Sequence, residues 1–430
     1  MRFETLADWL AWQETLHPSR IDLRLERVSA VWARLHPELR PGALPCPVIT
    51  VGGTNGKGSC VTYLEAWYRA AGYRCGAYTS PHLLQYNERV RIDGEMASDA
   101  ALCAAFARID QARGEAPLTY FEFGTLAALD CFVRAEVEIA LLEVGLGGRL
   151  DAVNMIDADV ALVASIGHDH AIWLGDTLEQ IAFEKAGIFR PGRAAVIGQR
   201  DAPARLRARA EEVGALPLQL GQELDWSIAE TGQWTWRGPH GKQHRALPTP
   251  ALRGRCQHDN AAAALGALEQ LRDRLPVNVA ALRQGLLRVT LGGRFTVLPG
   301  QPTWVLDVAH NDQAALALAE NLASYPCHGR RFAVLSLLAD KDPRAVIGPL
   351  AGLIAHWHLG PAASERAMPL ARIEAALSEG APAATWRSHA DLEQALAAAA
   401  AEAEPADLIL VFGSFVTVEA ALRRLSPAAV

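Results

Sequence analysis

The sequence predicts an α/β chain in two parts. Residues 1–295 are expected to form an N-terminal domain with a phosphate loop (P-loop), a mostly parallel sheet and a small antiparallel annex; residues 296–430 are expected to form a smaller, Rossmann-like α/β domain. Three observations carry this. At 430 residues the chain exceeds the size at which a single core stops growing. Short apolar strand segments alternate with helical patterns in both parts, which is the pattern of βαβ units. Finally, Pro47–Ser59, PVITVGGTNGKGS, passes from strand-forming residues through a glycine turn into a helical pattern that begins near Cys60.

Composition bounds the function. Hydrophobic residues make up 50% and charged residues 21%, as in a folded protein, and the net charge of −7 disfavours nucleic acid as a partner. Seven scattered cysteines without a CxxC pair favour reduced thiols in a cytoplasmic compartment, with no zinc or disulfide framework. The first residues, MRFETLADWLAWQETL, carry acids where a secretory segment needs an apolar run. Ala406 to Val418 is too short to span a bilayer, so no membrane association is expected.

Taken in order, Phe3–Trp12 and Ile21–Leu35 carry apolar stripes of helical spacing, and Asp22, Arg24, Glu26 and Arg27 read as an ordinary charged face. In the glycine loop, successive N–H groups and the start of the next helix favour an anion. Lys57 can reach phosphates, and Thr54 or Ser59 offers a hydroxyl to them or to magnesium. A short strand, Arg74–Thr79, ends in Ser80-Pro81-His82, where His82 is either a surface turn or a ligand contact. Tyr120, Phe121 and Phe123 open a helix and read first as core.

The strand Val137–Val144 ends in Glu143 before a glycine turn, where a carboxylate needs a metal or cation unless it lies at an exposed strand end. The strand Asp159–Ile166 is followed by His168, Asp169 and His170. Ser59, Ser80, Glu143 and His170 thus stand at four βα edges that converge on one crevice, suited to magnesium beside phosphate; His170 could instead contact phosphate or nucleophile. Lys185, in the helix Thr177–Ala186, reads as a surface charge. Leu218–Arg245 alternates short strands with turns, and Asn260 opens an alanine-rich helix. Beyond Phe295, strands at Phe295–Leu298, Thr303–Asp307, Arg331–Leu337, Leu353–Leu359 and Asp407–Phe412 predict a second parallel sheet without a phosphate loop of its own.

The ordered set GTNGKGS (Gly53–Ser59), TSPHL (Thr79–Leu83), ERVR (Glu88–Arg91), LEVGLGGRLDAVN (Leu142–Asn154), HAIWLG (His170–Gly175), EKAGIFRPG (Glu184–Gly192) and LDVAHN (Leu306–Asn311) resembles the bacterial folylpolyglutamate synthases of the Mur ligase superfamily. DLRLERV (Asp22–Val28) and TYFEFGT (Thr119–Thr125) resemble the bifunctional members that also make dihydrofolate. Asp312 stands where many members have proline, and Ser59 where threonine is common.

The resemblance implies an N-terminal P-loop ATPase domain and an ATP-dependent ligation of L-glutamate to dihydropteroate, and to tetrahydrofolate or its polyglutamates, through an acyl phosphate. ATP would be held by Gly53, Thr54, Asn55, Gly56, Lys57, Gly58 and Ser59 together with Asn260, Arg294 and Asp307. Mg2+, at one or two sites, would be held by Ser59, Ser80, Glu143 and His170, with K+ as a further candidate cation. Lys57, Lys185, His170 and His310 would serve the reaction, Lys185 as a carbamate. Arg27, Pro81, His82, Phe121, Phe123, Asp151 and Asn154 would face the pterin-bearing substrate. A monomer is implied. The competing expectations are a muramyl-type ligase acting on a UDP-linked substrate and an ATP-binding regulatory module without ligase activity.

Overall fold

In the computed structural model, which describes residues 2–19 and 21–425, three sheets organise the chain. The first contains β1 (Val48–Gly52), β2 (Cys75–Tyr78), β3 (Val90–Ile92), β4 (Glu95–Met96), β5 (Ile139–Glu143), β6 (Val160–Val163), β7 (Ala194–Ile197) and β8 (Leu216–Gln219). Their spatial order is β4-β3-β2-β5-β1-β6-β7-β8, with only the β2–β3 and β3–β4 pairs antiparallel. The central strands β1, β5 and β6 are buried throughout, which explains their unbroken apolar sequences: helices cover both faces of a parallel sheet.

On one face the helices Lys57–Ala70, Cys256–Glu269 and Val279–Arg288 close a core around Trp67, Tyr63, Ile49 and Leu141. The other face is covered by Leu6–Leu16, Glu26–Leu35, Asp99–Arg113 and Tyr120–Arg134 around Trp9, Phe106 and Phe123, with Leu178–Lys185 and Ala204–Glu212 over β6 and β7. A second, antiparallel sheet of β9 (Asp225–Ile228), β10 (Trp234–Arg237) and β11 (Gln243–Leu247) buries Trp234 and Trp236 against the alanine-rich helix. Alanines there let the indoles approach closely; the Trp236 Nε1–H donates to the Ala262 carbonyl at 3.0 Å.

The third sheet contains β12 (Thr296–Leu298), β13 (Thr303–Asp307), β14 (Arg331–Leu335), β15 (His356–Leu359), β16 (Thr385–Ser388) and β17 (Leu408–Phe412), in the order β12-β13-β17-β14-β15-β16. All its pairs are parallel except β12–β13. No helix among the described residues is long and apolar enough to cross a membrane.

Several expected details change. The helix after the glycine loop starts at Lys57 and not near Cys60, which puts Lys57 and Ser59 on its first turn. Ile21–Arg24 is not helical; the second helix begins only at Glu26. The strand at Leu216–Gln219 joins the main sheet, so the annex starts at Asp225. The second α/β sheet is not wholly parallel, because β12 returns as a hairpin partner of β13.

Candidate active site

The first three strands of interest deliver their carboxyl ends to one place. After β1 the chain turns at Gly53 (φ +139°) and Gly56 (φ +84°), backbone angles that favour glycine. Space demands glycine too: a Cβ on Gly56 would stand 2.4 Å from Asn260 Oδ1, and one on Gly53 would stand 3.1 Å from the Ala164 and Ser165 nitrogens. The loop is latched to the segment after β6. Thr54 N–H donates to the Ser165 carbonyl (2.7 Å), and Asn55 N–H donates to Ser165 Oγ (3.1 Å). The Thr54 hydroxyl donates to the Gly167 carbonyl and accepts from the Gly167 N–H. Its proton is therefore committed to the loop, and Ser59 also lines the cavity.

Two lysines meet here. Lys57 Nζ donates to the carbonyls of Gly53 (3.0 Å) and Thr54 (3.2 Å), and Lys185 Nζ donates to the same Gly53 carbonyl at 3.0 Å. Lys185 is only 5% exposed and is not the surface charge its sequence context suggests. Burial, reinforced by the Lys57 charge, lowers its ammonium to about 7; burial also lowers Lys57.

Glu143 closes β5 at 4% exposure, and its one hydrogen bond among the described residues is from the Ser80 N–H (3.2 Å). Burial raises its carboxyl, while the Lys57 charge pulls the other way. An ideal Cβ on Gly58 would lie 3.8 Å from Glu143 Oε2, so the carboxylate sits against the first turn of the loop helix. A buried carboxylate with a single backbone donor, beside serine hydroxyls, suits a hard divalent cation that keeps waters and phosphate oxygens. Ser59, Ser80 and Glu143 fit such an ion.

His170 lies at the same rim with φ +53° as the residue before the short helix Ala171–Leu174. Its side chain is 40% exposed, and partial burial with the charges of Lys341, Lys57 and Lys185 lowers the imidazole against the pull of Asp169. Asp169, which sequence reasoning left without a role, is the hinge of the arrangement. Lys341 Nζ lies 2.5 Å and His310 Nε2 3.4 Å from its carboxylate, and Asn311 Nδ2 donates to it at 3.4 Å. Against the cost of burial, these partners hold Asp169 well below the usual carboxylate range. Asn311 and Asn55 also exchange side-chain hydrogen bonds at 3.1 and 3.2 Å, and Gln313 Nε2 donates to the Ile166 carbonyl (2.7 Å).

A cavity of about 800 Å3 runs between the two large sheets. Its lining includes the loop residues Gly53–Ser59 with Asn260, Arg294, Asp307 and His310. Asp307 accepts from the N–H groups of Phe295 (2.7 Å) and Ala309 (2.8 Å), and burial raises its carboxyl. The same cavity is also lined by Ile21–Arg24, Pro81, Arg89, Phe121 and Asp151. Asp151 is 2% exposed and accepts from three backbone N–H groups, of Gly145, Leu146 and Val153; burial nevertheless raises it to about 6.

Four residues expected to face the substrate do not line this cavity. Phe123 is fully buried, packed against Trp9, Trp12 and Phe106, because it lies on the opposite face of its helix from Phe121. Arg27 stands behind the wall, pairing with Asp22 (2.6 Å) and Glu122 (2.8 Å), and so fixes the extended Ile21–Arg24 segment to the helix Tyr120–Arg134. Asn154 is a latch: its amide donates to the carbonyls of Arg149 and Gly187 and accepts from Arg190. His82 accepts from Arg89 Nε at 2.8 Å through Nδ1, and burial with the Arg89 charge holds its ring at about 4.

Comparison with known proteins agrees with this layout. Residues 51–268 match the Mur ligase middle domain and residues 293–415 the Mur ligase glutamate ligase domain. The dihydrofolate synthase/folylpolyglutamate synthase of Escherichia coli K12 is 42% identical over 96% of this chain and 94% of its own length. The structure of E. coli FolC in complex with DHPP and ADP superposes with a TM-score of 0.91 at 41% identity, covering 99% of both chains. A bifunctional folylpolyglutamate synthase/dihydrofolate synthase with Mn, AMPPNP and L-glutamate bound gives 0.89 at 40% identity over 98% of both. Fold and site together define an ATP-dependent ligase of the Mur type. Within that class the chain belongs to the dihydrofolate synthase/folylpolyglutamate synthase family.

Proposed function

We propose that this chain joins L-glutamate to 7,8-dihydropteroate, and to tetrahydrofolate or its polyglutamates, at the expense of ATP and through an acyl phosphate. The observation that carries the proposal is a single cavity lined both by the glycine loop with Glu143 and by Ile21–Arg24, Phe121 and Asp151. An acid bound against Phe121 and Asp151 would present its carboxylate to the loop.

Lys57 and the loop N–H groups hold the triphosphate, with Asn260, Arg294 and Asp307 around the nucleoside. Ser59, Ser80, Glu143 and His170 would hold Mg2+, which when bound neutralises charge on the transferring phosphoryl oxygens. Lys57 stays beside those oxygens as negative charge builds on them. Asp169, gripped by Lys341 and His310, keeps the two sheets together over the cleft so that the activated acyl group meets the glutamate amine and not water.

Lys185 is the residue we assign to a carbamate. Its ammonium, lowered to about 7, is buried with only the Gly53 carbonyl as hydrogen-bond partner, so the free amine can add CO2 through its nitrogen lone pair and release a proton to solvent, leaving an anion beside Lys57. K+ is the further cation we place beside the loop anions. A cytoplasmic placement and a monomeric state complete this reading, in keeping with seven scattered cysteines without a CxxC pair.

The test is an assay of purified enzyme with ATP, L-glutamate and, in parallel, dihydropteroate, tetrahydrofolate and a UDP-muramyl acceptor, read by product mass. Glutamylated pteroates are expected. A UDP-linked product supports the muramyl-type alternative, and ATP binding without any product supports a regulatory module.

A further inference from the structure

On the outer edge of the third sheet, away from the catalytic cavity, three histidines and a glutamate converge. His356 and His358 project from one face of β15, as residues two apart on a strand must. His389 follows β16, and Glu402 ends the helix Leu392–Glu402 that packs over β14 and β15. One ring nitrogen from each of His356 and His358 and one Glu402 oxygen lie within 4.8 Å of one another.

We propose that His356, His358 and Glu402 bind a divalent transition-metal ion, Zn2+ by the character of the ligands, and that this ion ties β15 to the helix Leu392–Glu402.

The hydrogen-bond pattern singles out the ligand atoms. Thr385 Oγ1 donates its proton to the Ala355 carbonyl (3.1 Å), so towards His356 Nδ1, 2.7 Å away, it can only accept. His356 therefore carries its proton on Nδ1 and leaves the Nε2 lone pair free. His358 is fully buried, its Nδ1 lies 3.1 Å from His389 Nε2, and its own Nε2 faces Glu402 Oε2 at 3.7 Å. Both Nε2 atoms are buried without a hydrogen-bond partner. Leaving two such atoms dry costs free energy that a metal would recover.

The surroundings already contain the partners that orient metal ligands. Thr385 and His389 fix the two rings from behind, and Arg387 binds the outer oxygen of Glu402, which leaves Oε2 turned inward. Ligand atoms around tetrahedral Zn2+ stand roughly 3.3 Å apart, from bonds of about 2.0–2.1 Å. Closing from the present separations needs side-chain movement on the order of an ångström, with water as fourth ligand. Two imidazoles and one carboxylate favour Zn2+ over Mg2+.

The experiment strips the full-length protein with chelator and dialyses it against Zn2+ with millimolar Mg2+ present. Bound zinc is then counted by elemental analysis, and unfolding is followed with and without zinc. The wild type is expected to bind one zinc equivalent more than His356→Ala or Glu402→Gln, with at least tenfold higher affinity, and to show a zinc-dependent rise in Tm that both variants lack. Ligase turnover in saturating Mg2+ is expected to be unchanged in both. His170→Ala is expected to keep this equivalent, which separates it from zinc at the catalytic cleft. Equal zinc content and affinity in the wild type, His356→Ala and Glu402→Gln, or no zinc-dependent rise in Tm, would overturn the proposal. His358→Asn adds a third arm, but the two less buried positions decide the matter even if that variant does not fold.

Discussion

Lys57 and Lys185 share the Gly53 carbonyl, yet their chemistry differs, and substitution should separate them. Lys57→Ala removes the charge proposed to meet the transferring phosphoryl group, so glutamate-dependent ADP formation should fall by about 2.7–4 kcal/mol of transition-state stabilisation, or a hundredfold or more, with Tm little changed. Turnover at the wild-type rate would exclude the loop as the phosphate site. For Lys185 the sign follows from its depressed value of about 7: the amine able to add CO2 is present above that pH and is protonated below it. Removing dissolved CO2 should slow the enzyme, increasingly so as pH falls through 7, and bicarbonate should restore the rate. Lys185→Ala should be inactive and partly rescued by short carboxylates; a rate indifferent to CO2 and a fully active variant would remove Lys185 from the mechanism.

Two neighbouring rings of the helix Tyr120–Arg134 show what an element adds to a sequence. Phe121 lines the cavity and Phe123 is core, so Phe123→Ala should cost about 3–5 kcal/mol of stability. Phe121→Ala should instead raise KM for the pteroate substrate with a smaller loss of Tm; denaturant unfolding and steady-state kinetics distinguish the two. Gly56→Ala should cost at least about 1–2 kcal/mol through its left-handed backbone alone. It should also lose nucleotide binding, measured by calorimetry, because the added Cβ meets Asn260. The glycine loop and the buried parallel strands were legible because their chemistry is contiguous in sequence. Ile21–Arg24 was not: its apolar spacing fits a helix, but the ion pairs of Arg27 with Asp22 and with Glu122, 95 residues away, hold it extended. The edge strand β16 escaped notice because its half-exposed TWRS sequence has no apolar alternation. Asp169 escaped because its partners Lys341 and His310 lie in the segments after β14 and β13 of the other half, so no spacing along the chain announces them.

Across the whole molecule, the halves built on the two large sheets meet through apolar packing of Leu83 against the core that holds Leu306 and Val308, and through a polar cluster that has a functional consequence. A wholly apolar seam would hold the halves together permanently. Asp169, Lys341, His310, Asn311 and Asn55 instead form a set of directional bonds that can be remade as substrates enter and products leave. The Asp169–Lys341 pair is largely buried, so removing one partner leaves an uncompensated charge and should open the cleft rather than unfold either sheet, each of which has its own core. Lys341→Met is therefore expected to keep nucleotide affinity within a few-fold and Tm within a few degrees. Its glutamate ligation should fall by roughly a hundredfold, the scale of loss from an ångström of misplacement at the reacting atoms. Because an open cleft admits water to the activated acyl group, phosphate release per amide bond formed should rise. Measuring phosphate and glutamylated product in the same reaction checks this; a variant with wild-type coupling would show that the seam does not govern closure, and that the position of the acyl group is set from within the N-terminal sheet alone.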